Sequence, residues 1–213
     1  MAIQTGRPRS EAAHKAILKS ALWLVTRRGF RAVTVNEIAA DAGVGKMTLY
    51  RHWPNKSAVV MDALLALIGE ETAFPDAGNA LRSLRSQLDL QVAFFRSPRG
   101  NLIRSLVSEA QSDPELAMAF RERWLMPRRE GVQKTMRQAV SEGFLRDDFD
   151  IDAAIDLLYG AIYYRLLLGT GPLDESFIEN TYQQFLAGHG SHARPSRAKT
   201  RTDMNARRTI VLP

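Results

Sequence analysis

Cysteine is absent from all 213 residues. Disulfides and thiolate metal sites are therefore excluded, and a reducing cytoplasm is the expected setting. Histidine is scarce, at His14, His52, His189 and His192. None stands at metal-ligand spacing from another with carboxylates nearby, so no metal is expected. There is no Gly-rich phosphate loop and no Gly-x-Ser-x-Gly elbow, so neither catalytic residues nor a cofactor are expected. Long apolar runs are missing too. The longest, residues 153–168, is interrupted by Asp156 and Arg165 and falls short of the ~20 residues a membrane span needs. No apolar stretch follows the polar, basic start of the chain, so a secretory signal is not expected. Alternating β-type runs flanked by turns are likewise absent.

Apolar residues make up 45% of the sequence, enough for a packed core. Net charge is +6, unevenly spread. Residues 1–72 hold ten Lys/Arg against six Asp/Glu, residues 73–187 thirteen against sixteen, and residues 188–213 six against one. The basic charge sits at the two ends, which suits a polyanion near the N-terminal part; a generally basic surface is the alternative.

The periodic segments read as helices. The first covers residues 10–28, with Ile17, Ala21 and Leu24 on one row and Gly29 as its C-cap. Thr34-Val35-Asn36-Glu37 is a capping box that opens a short helix over 35–42. Gly43-Val44-Gly45 breaks the chain, and a second short helix covers 46–53. Asn55 caps the next, over 56–71. A break at 74–78 marks a domain boundary. Further helices are expected at 80–95, at 99–111, at 114–142 with a kink near Pro127, at 152–168 and at 175–186. Residues 188–213, rich in Gly, Ser, Arg and Thr, read as a basic disordered tail.

Two short helices joined by a Gly-containing turn are the signature of a helix-turn-helix. Ile38, Ala39 and Ala42 form the inner side of the first, and Val44, Leu49 and Trp53 anchor the second. With Leu49 inward, a 100° step per residue points Met47 and Arg51 outward, sets Thr48 and Tyr50 on the flanks, and leaves Lys46 and His52 at the helix ends. Arg51 suits a bidentate bond to guanine, and Thr48 a thymine methyl or base edge. Tyr50, Lys46 and His52 suit phosphates. Lys56 and Thr34, each at a helix start, suit phosphates as well.

The stretch from Thr34 to Lys56 resembles the DNA-binding signature of the TetR/AcrR family of bacterial regulators. The matching features are Gly29-Phe30, Thr34, Ile38-Ala39, Ala42-Gly43-Val44, Thr48-Leu49-Tyr50 and Lys56. Trp53 departs from the Phe that members often carry, but remains an aromatic anchor. The motif covers about a quarter of the chain. The resemblance implies an all-α protein: a three-helix helix-turn-helix domain with its connecting helix over 10–72, and a larger helical ligand-binding and dimerisation domain over 73–187. It also implies a palindromic double-stranded DNA operator, a homodimer and a small-molecule effector that releases it. Residues 1–9 read as a flexible arm, with Arg7 and Arg9 suited to a minor groove.

The helix at 152–168 is apolar nearly all round, which requires burial on both sides. Ile151, Ile155, Leu158 and Ile162 make one stripe; Leu157, Ala161, Tyr164 and Leu168 make another. The first stripe, with Phe177, Ile178, Tyr182 and Phe185 of the last helix, is assigned to a dimer interface; burial inside one monomer is the alternative. Phe94, Phe95, Leu102, Met118, Phe120, Trp124, Tyr159 and Tyr163 are candidates to line an apolar pocket, though each also suits plain core. A sequence-blind nucleoid-type protein and an activator of the same fold stay open beside a repressor.

Overall fold

The computed structural model describes residues 7–68 and 75–191. Among these there are ten α-helices and no strand, only an isolated antiparallel bridge between Leu145 and Gly190. The all-α expectation therefore holds. The helices are α1 (Arg7–Arg28), α2 (Val35–Asp41), α3 (Lys46–Tyr50), α4 (Lys56–Ile68), α5 (Ala80–Arg96), α6 (Pro98–Ala110), α7 (Pro114–Phe120), α8 (Met126–Ser141), α9 (Ile151–Leu168) and α10 (Glu175–His189).

Local chemistry sets the boundaries. Asn79, Ser97, Asp113, Asp150 and Asp174 each accept a backbone N–H at the start of α5, α6, α7, α9 and α10, satisfying donors that the first turn leaves free. Pro98 and Pro114 occupy first-turn positions of α6 and α7, where a missing N–H costs nothing. Gly169 closes α9 in the left-handed region at φ 65°.

Helix α3 ends at Tyr50, short of the expected 53, and three further differences from expectation stand out. Helix α1 begins at Arg7, so Arg7 and Arg9 lie in a helical turn and not in an extended arm; residues 1–6 fall outside the described residues. Helix α10 continues to His189, and the Arg146 and Ser191 N–H groups donate to the carbonyls of His189 and Phe144 at 2.9 and 2.8 Å. The tail therefore starts later than 188, and residues 192–213 lie outside the described residues. The bend expected at Pro127 is replaced by a π-helical turn, Arg121–Leu125, between α7 and α8. Pro127 sits in the first turn of α8, where it disturbs nothing.

Helix α1 packs on α4 and α2, α2 packs on α3, and α4 in turn packs on α7 and the π turn. Helix α5 lies between α6, α8 and α10, and α9 closes the bundle against α8 and α10. The inner face of α5 carries Leu84, Leu88, Val92, Phe94 and Phe95, together with two buried glutamines, Gln87 and Gln91.

The corner from α5 to α6 is tight. The Ser97 N–H and hydroxyl both donate to Phe94 O, at 3.0 and 2.7 Å. A Cβ on Gly100 would run into the carbonyl of Phe95. Gly100→Ala should cost about 2 kcal/mol, read as a fall of about 4–8 °C in melting temperature for a domain of this size. Gly188→Ala, with open space around it on the exposed end of α10, should leave the melting temperature equal or higher.

Candidate functional site

The capping box forms as its spacing predicts. The Glu37 N–H donates to Thr34 Oγ1 at 3.3 Å, and the Thr34 N–H and hydroxyl both donate to Glu37 Oε2 at 2.8 Å. Arg28 closes on Glu37 at 2.9 Å. These partners, the Thr34 hydroxyl foremost, hold the Glu37 carboxyl below the ordinary range. Thr34 is exposed, but its hydroxyl is occupied in the cap. The turn then needs Gly43 at φ 66°, which lets the Val44 N–H return to Ala39 O at 3.0 Å.

Helix α3 has five residues, too few to stand alone. Two anchors hold it. Leu49 and Trp53 are 0% and 1% exposed, and the His52 and Trp53 N–H groups both donate to Leu49 O at 3.0 Å. The Trp53 indole stacks on His14 with ring centroids 4.7 Å apart. Its Nε1–H donates to Asp62 Oδ2 on α4 at 2.6 Å, and the other oxygen of Asp62 takes Arg123 from the π turn.

With the anchors inward, the outward surface follows. Met47 is 78% exposed and Tyr50 40%. Lys46, Arg51 and His52 are exposed, and Thr48 is half-buried. The Lys46 ammonium lies 5.5 Å from the Tyr50 ring centroid, and the His52 ring stands edge-on to His14. These six residues form one surface. Lys56 does not join it. Its ammonium donates to Phe30 O at 2.8 Å and sits 4.0 Å above the Phe30 ring. Burial lowers its pKa, against the pull of Asp113, Glu109 and Glu37. Lys56 thus ties α4 to the loop after α1, a role that sequence spacing alone does not separate from phosphate binding.

Comparison with known proteins agrees with this geometry. Residues 17–63 match the family described as "Bacterial regulatory proteins, tetR family", and residues 74–185 match "Tetracyclin repressor-like, C-terminal domain". The chain belongs to the TetR family. TetR regulators bind DNA operators and are transcription factors, not enzymes. The chain is 36% identical to the HTH-type transcriptional regulator YdeS of Bacillus subtilis, over 88% of this chain and 95% of YdeS. It is 29% identical to the DNA-binding transcriptional repressor TetR of Mycobacteroides abscessus, over 80% of this chain and 90% of that one. Among solved structures, the TetR family transcription regulator SCO0332 superposes with a TM-score of 0.69 at 32% identity, covering 83% of this chain and 97% of the other. No helix among the described residues is long and apolar enough to cross a membrane.

A cavity of about 530 Å³ opens between α5, the π turn, α8 and α9. Tyr159 and Tyr163 line it. Phe94, Phe95, Leu102, Phe120 and Trp124 are buried around it but do not line it. Phe95 meets Tyr163 edge-on at 5.3 Å, and the Trp124 Nε1–H donates to the Tyr163 hydroxyl at 2.8 Å. Met118 is 47% exposed. The lining residues missed from sequence are chiefly Gln91, Arg128 and Arg129. Their signal was present: glutamines at two core positions of α5, and an Arg pair just after Trp124.

The interface assignment needs correcting. Ile155, Leu158 and Ile162 of α9, and Ile178, Tyr182 and Phe185 of α10, are at most 7% exposed. Ile151 and Phe177 are half-buried against the same core. All eight therefore serve the protomer's own interior. The second stripe is the open one: Leu157 is 71%, Tyr164 56% and Leu168 64% exposed.

Trp53 explains why this chain can depart from Phe at that position, since only an indole can donate to Asp62. Trp53→Phe and Asp62→Asn should each cost about 1–3 kcal/mol. In urea unfolding of the wild type, both single variants and the double variant, the two losses should couple by about 1 kcal/mol or more. Strict additivity would show that the bond contributes nothing.

Proposed function

We propose that the chain acts as a homodimeric repressor that reads a palindromic operator with α3 and leaves it when a small molecule fills the cavity beside α9. The carrying observation is the division of α3 and the turn after it into two sides: Leu49 and Trp53 fully inward, Met47, Tyr50 and Arg51 outward. That outward face carries donors suited to base edges in a major groove. Arg51 and Thr48 take base edges; Lys46, Tyr50 and His52 take phosphates.

The exposed stripe of α9 supports the dimer. Leu157, Tyr164 and Leu168 project from one helix, and a contiguous apolar face of this kind marks an association surface. A two-fold dimer suits an operator whose half-sites lie about one duplex turn apart, on the order of 34–36 Å.

The polar chain from cavity to α3 supports effector release. Tyr163 lines the cavity and accepts from Trp124. Trp124 shares the π turn with Arg123, Arg123 pairs with Asp62, and Asp62 holds Trp53. A ligand that repacks the π turn would thereby move α4 and the anchor of α3, shifting the population away from the operator-binding form.

Selection of bound duplexes from a random library should return an inverted repeat. Arg51→Ala and Tyr50→Ala should each weaken binding to that site about tenfold or more, consistent with ~1–3 kcal/mol per base or phosphate contact. Recovery of no consensus, with equal affinity for random DNA at matched salt, would instead favour a sequence-blind protein. Separately, Leu157→Glu should convert the dimer to a folded monomer in sedimentation, because each protomer would bring a charge onto the shared apolar stripe. An unchanged sedimentation coefficient would place any dimer contact elsewhere.

A further inference from the structure

The cavity is polarised from rim to floor. Its rim holds exposed residues: Arg121, Leu125, Met126, Asp156 and Gly160. Its floor holds Gln91, Val132 and Ile155, all buried, with the half-buried Arg128, Tyr159 and Tyr163. Two features of the floor point to a ligand. The Gln91 Nε2 is fully buried and has no hydrogen-bond partner, although the residue is only 2% exposed. Such a donor is costly unless something accepts from it. The Arg128 guanidinium lies 3.5 Å from the Trp124 ring centroid, and its Nη1 donates to Trp124 O at 3.3 Å. The ring covers one face of the guanidinium where Arg128 lines the cavity.

The neighbouring groups set the sign. Asp156 is the acid that lines the cavity; it sits on the rim, and Arg129 binds it at 2.5 Å while also holding Asp152 at 2.8 Å. Tyr159 donates to Gln87 Oε1, and Tyr163 accepts from Trp124. Burial raises the pKa of both phenols, that of Tyr163 to about 12, so both are neutral at physiological pH. Burial lowers Arg128 to about 10, which still leaves it a cation. The Arg128 charge in the floor opposes an organic cation, and a neutral apolar guest leaves the Gln91 amide unpaired.

We infer that the effector is a small organic monoanion with an apolar body, its anionic oxygens held by Gln91 and Arg128 and its body lying on Leu125, Met126, Val132 and Ile155. This rests on reading the cavity as the effector site. The volume of about 530 Å³ falls in the ~300–1,000 Å³ range of drug-sized ligands.

Two fluorescent dyes of nearly identical shape test the assignment on the full-length protein. One, 1-anilinonaphthalene-8-sulfonate, carries a sulfonate; the other, N-phenyl-1-naphthylamine, lacks it. The sulfonate dye should bind about tenfold or more tightly than the neutral one, as a charge-assisted contact implies. Arg128→Gln should remove about tenfold of that affinity while moving the neutral dye less than about twofold, and Arg128→Lys should restore part of it. Gln91→Leu supplies an independent test should Arg128→Gln fail to fold, with a loss of about threefold or more for the sulfonate dye alone. Gly160→Trp, built where the helix has open space, should weaken both dyes by filling the mouth. If both dyes bind equally, yield to Gly160→Trp and ignore Arg128 and Gln91, the anion assignment fails and the effector cavity stands. If neither dye binds, or Gly160→Trp weakens neither, the cavity reading fails as well.

Discussion

The bond from the Trp53 indole to Asp62, 2.6 Å long, is the contact on which the exposed surface of α3 hangs. A five-residue helix has no stability of its own. Leu49 holds its middle, and Trp53 holds the chain just beyond its end. An indole ring buried without a partner for its N–H would cost about 1–3 kcal/mol. Asp62 removes that cost and fixes the ring against α4. Since Asp62 also takes Arg123, one carboxylate joins the chain just past α3 to the π turn beside the cavity. The buried anchor of α3 and the turn that borders the cavity are thus linked through a single carboxylate.

What the sequence made legible was short-range. The capping box at Thr34 and Glu37, the left-handed Gly43 and the inward pair Leu49 and Trp53 each depend on residues no more than a few positions apart, so spacing determines them. Helix α9 was harder for a physical reason. It is apolar on two sides, and nothing in a two-sided stripe says which side faces inward. Asp152 and Asp156 carried the missing sign. Both are exposed and paired with Arg129, and they share the outer side of the helix with Leu157. A charged residue is far more costly to bury than an aliphatic one, so the acids outrank hydrophobic periodicity in orienting such a helix. The π turn was illegible for a different reason. Pro127 looks like a kink, but the widened turn lies before it, where Trp124 sits beside Phe94, distant from it in sequence, and Phe120, ahead of it.

Lys56 shows how the same residue type can read either way. At the start of a helix a lysine suits a phosphate, yet here the carbonyl and ring of Phe30 hold it. The loop after α1 has an exposed backbone and a buried aromatic, Phe30 being 2% exposed. A lysine that caps both keeps α1 and α4 in register. Arg31 extends the same junction, reaching Glu109 at 2.7 Å and Ser112 at 2.8 Å. The N-terminal unit therefore meets the rest through Arg31 on Glu109 of α6, through α4 packed on α7, and through Arg123 from the other side.

This arrangement bears on how a ligand could act at a distance. To move a two-state equilibrium from 1:99 to 99:1, a ligand must prefer one state by about 10⁴-fold, or about 5.5 kcal/mol. An apolar guest that fits both states equally shifts nothing. A charged contact at Arg128 is better suited, because Arg128 stacks on Trp124, and Trp124 lies in the π turn next to Arg123. Drawing the guanidinium toward an anion would disturb the ring beneath it, and the turn cannot change without changing the hold of Arg123 on Asp62. The strength of the switch would then depend on how differently the two states present Arg128, more than on how tightly the cavity closes around its guest.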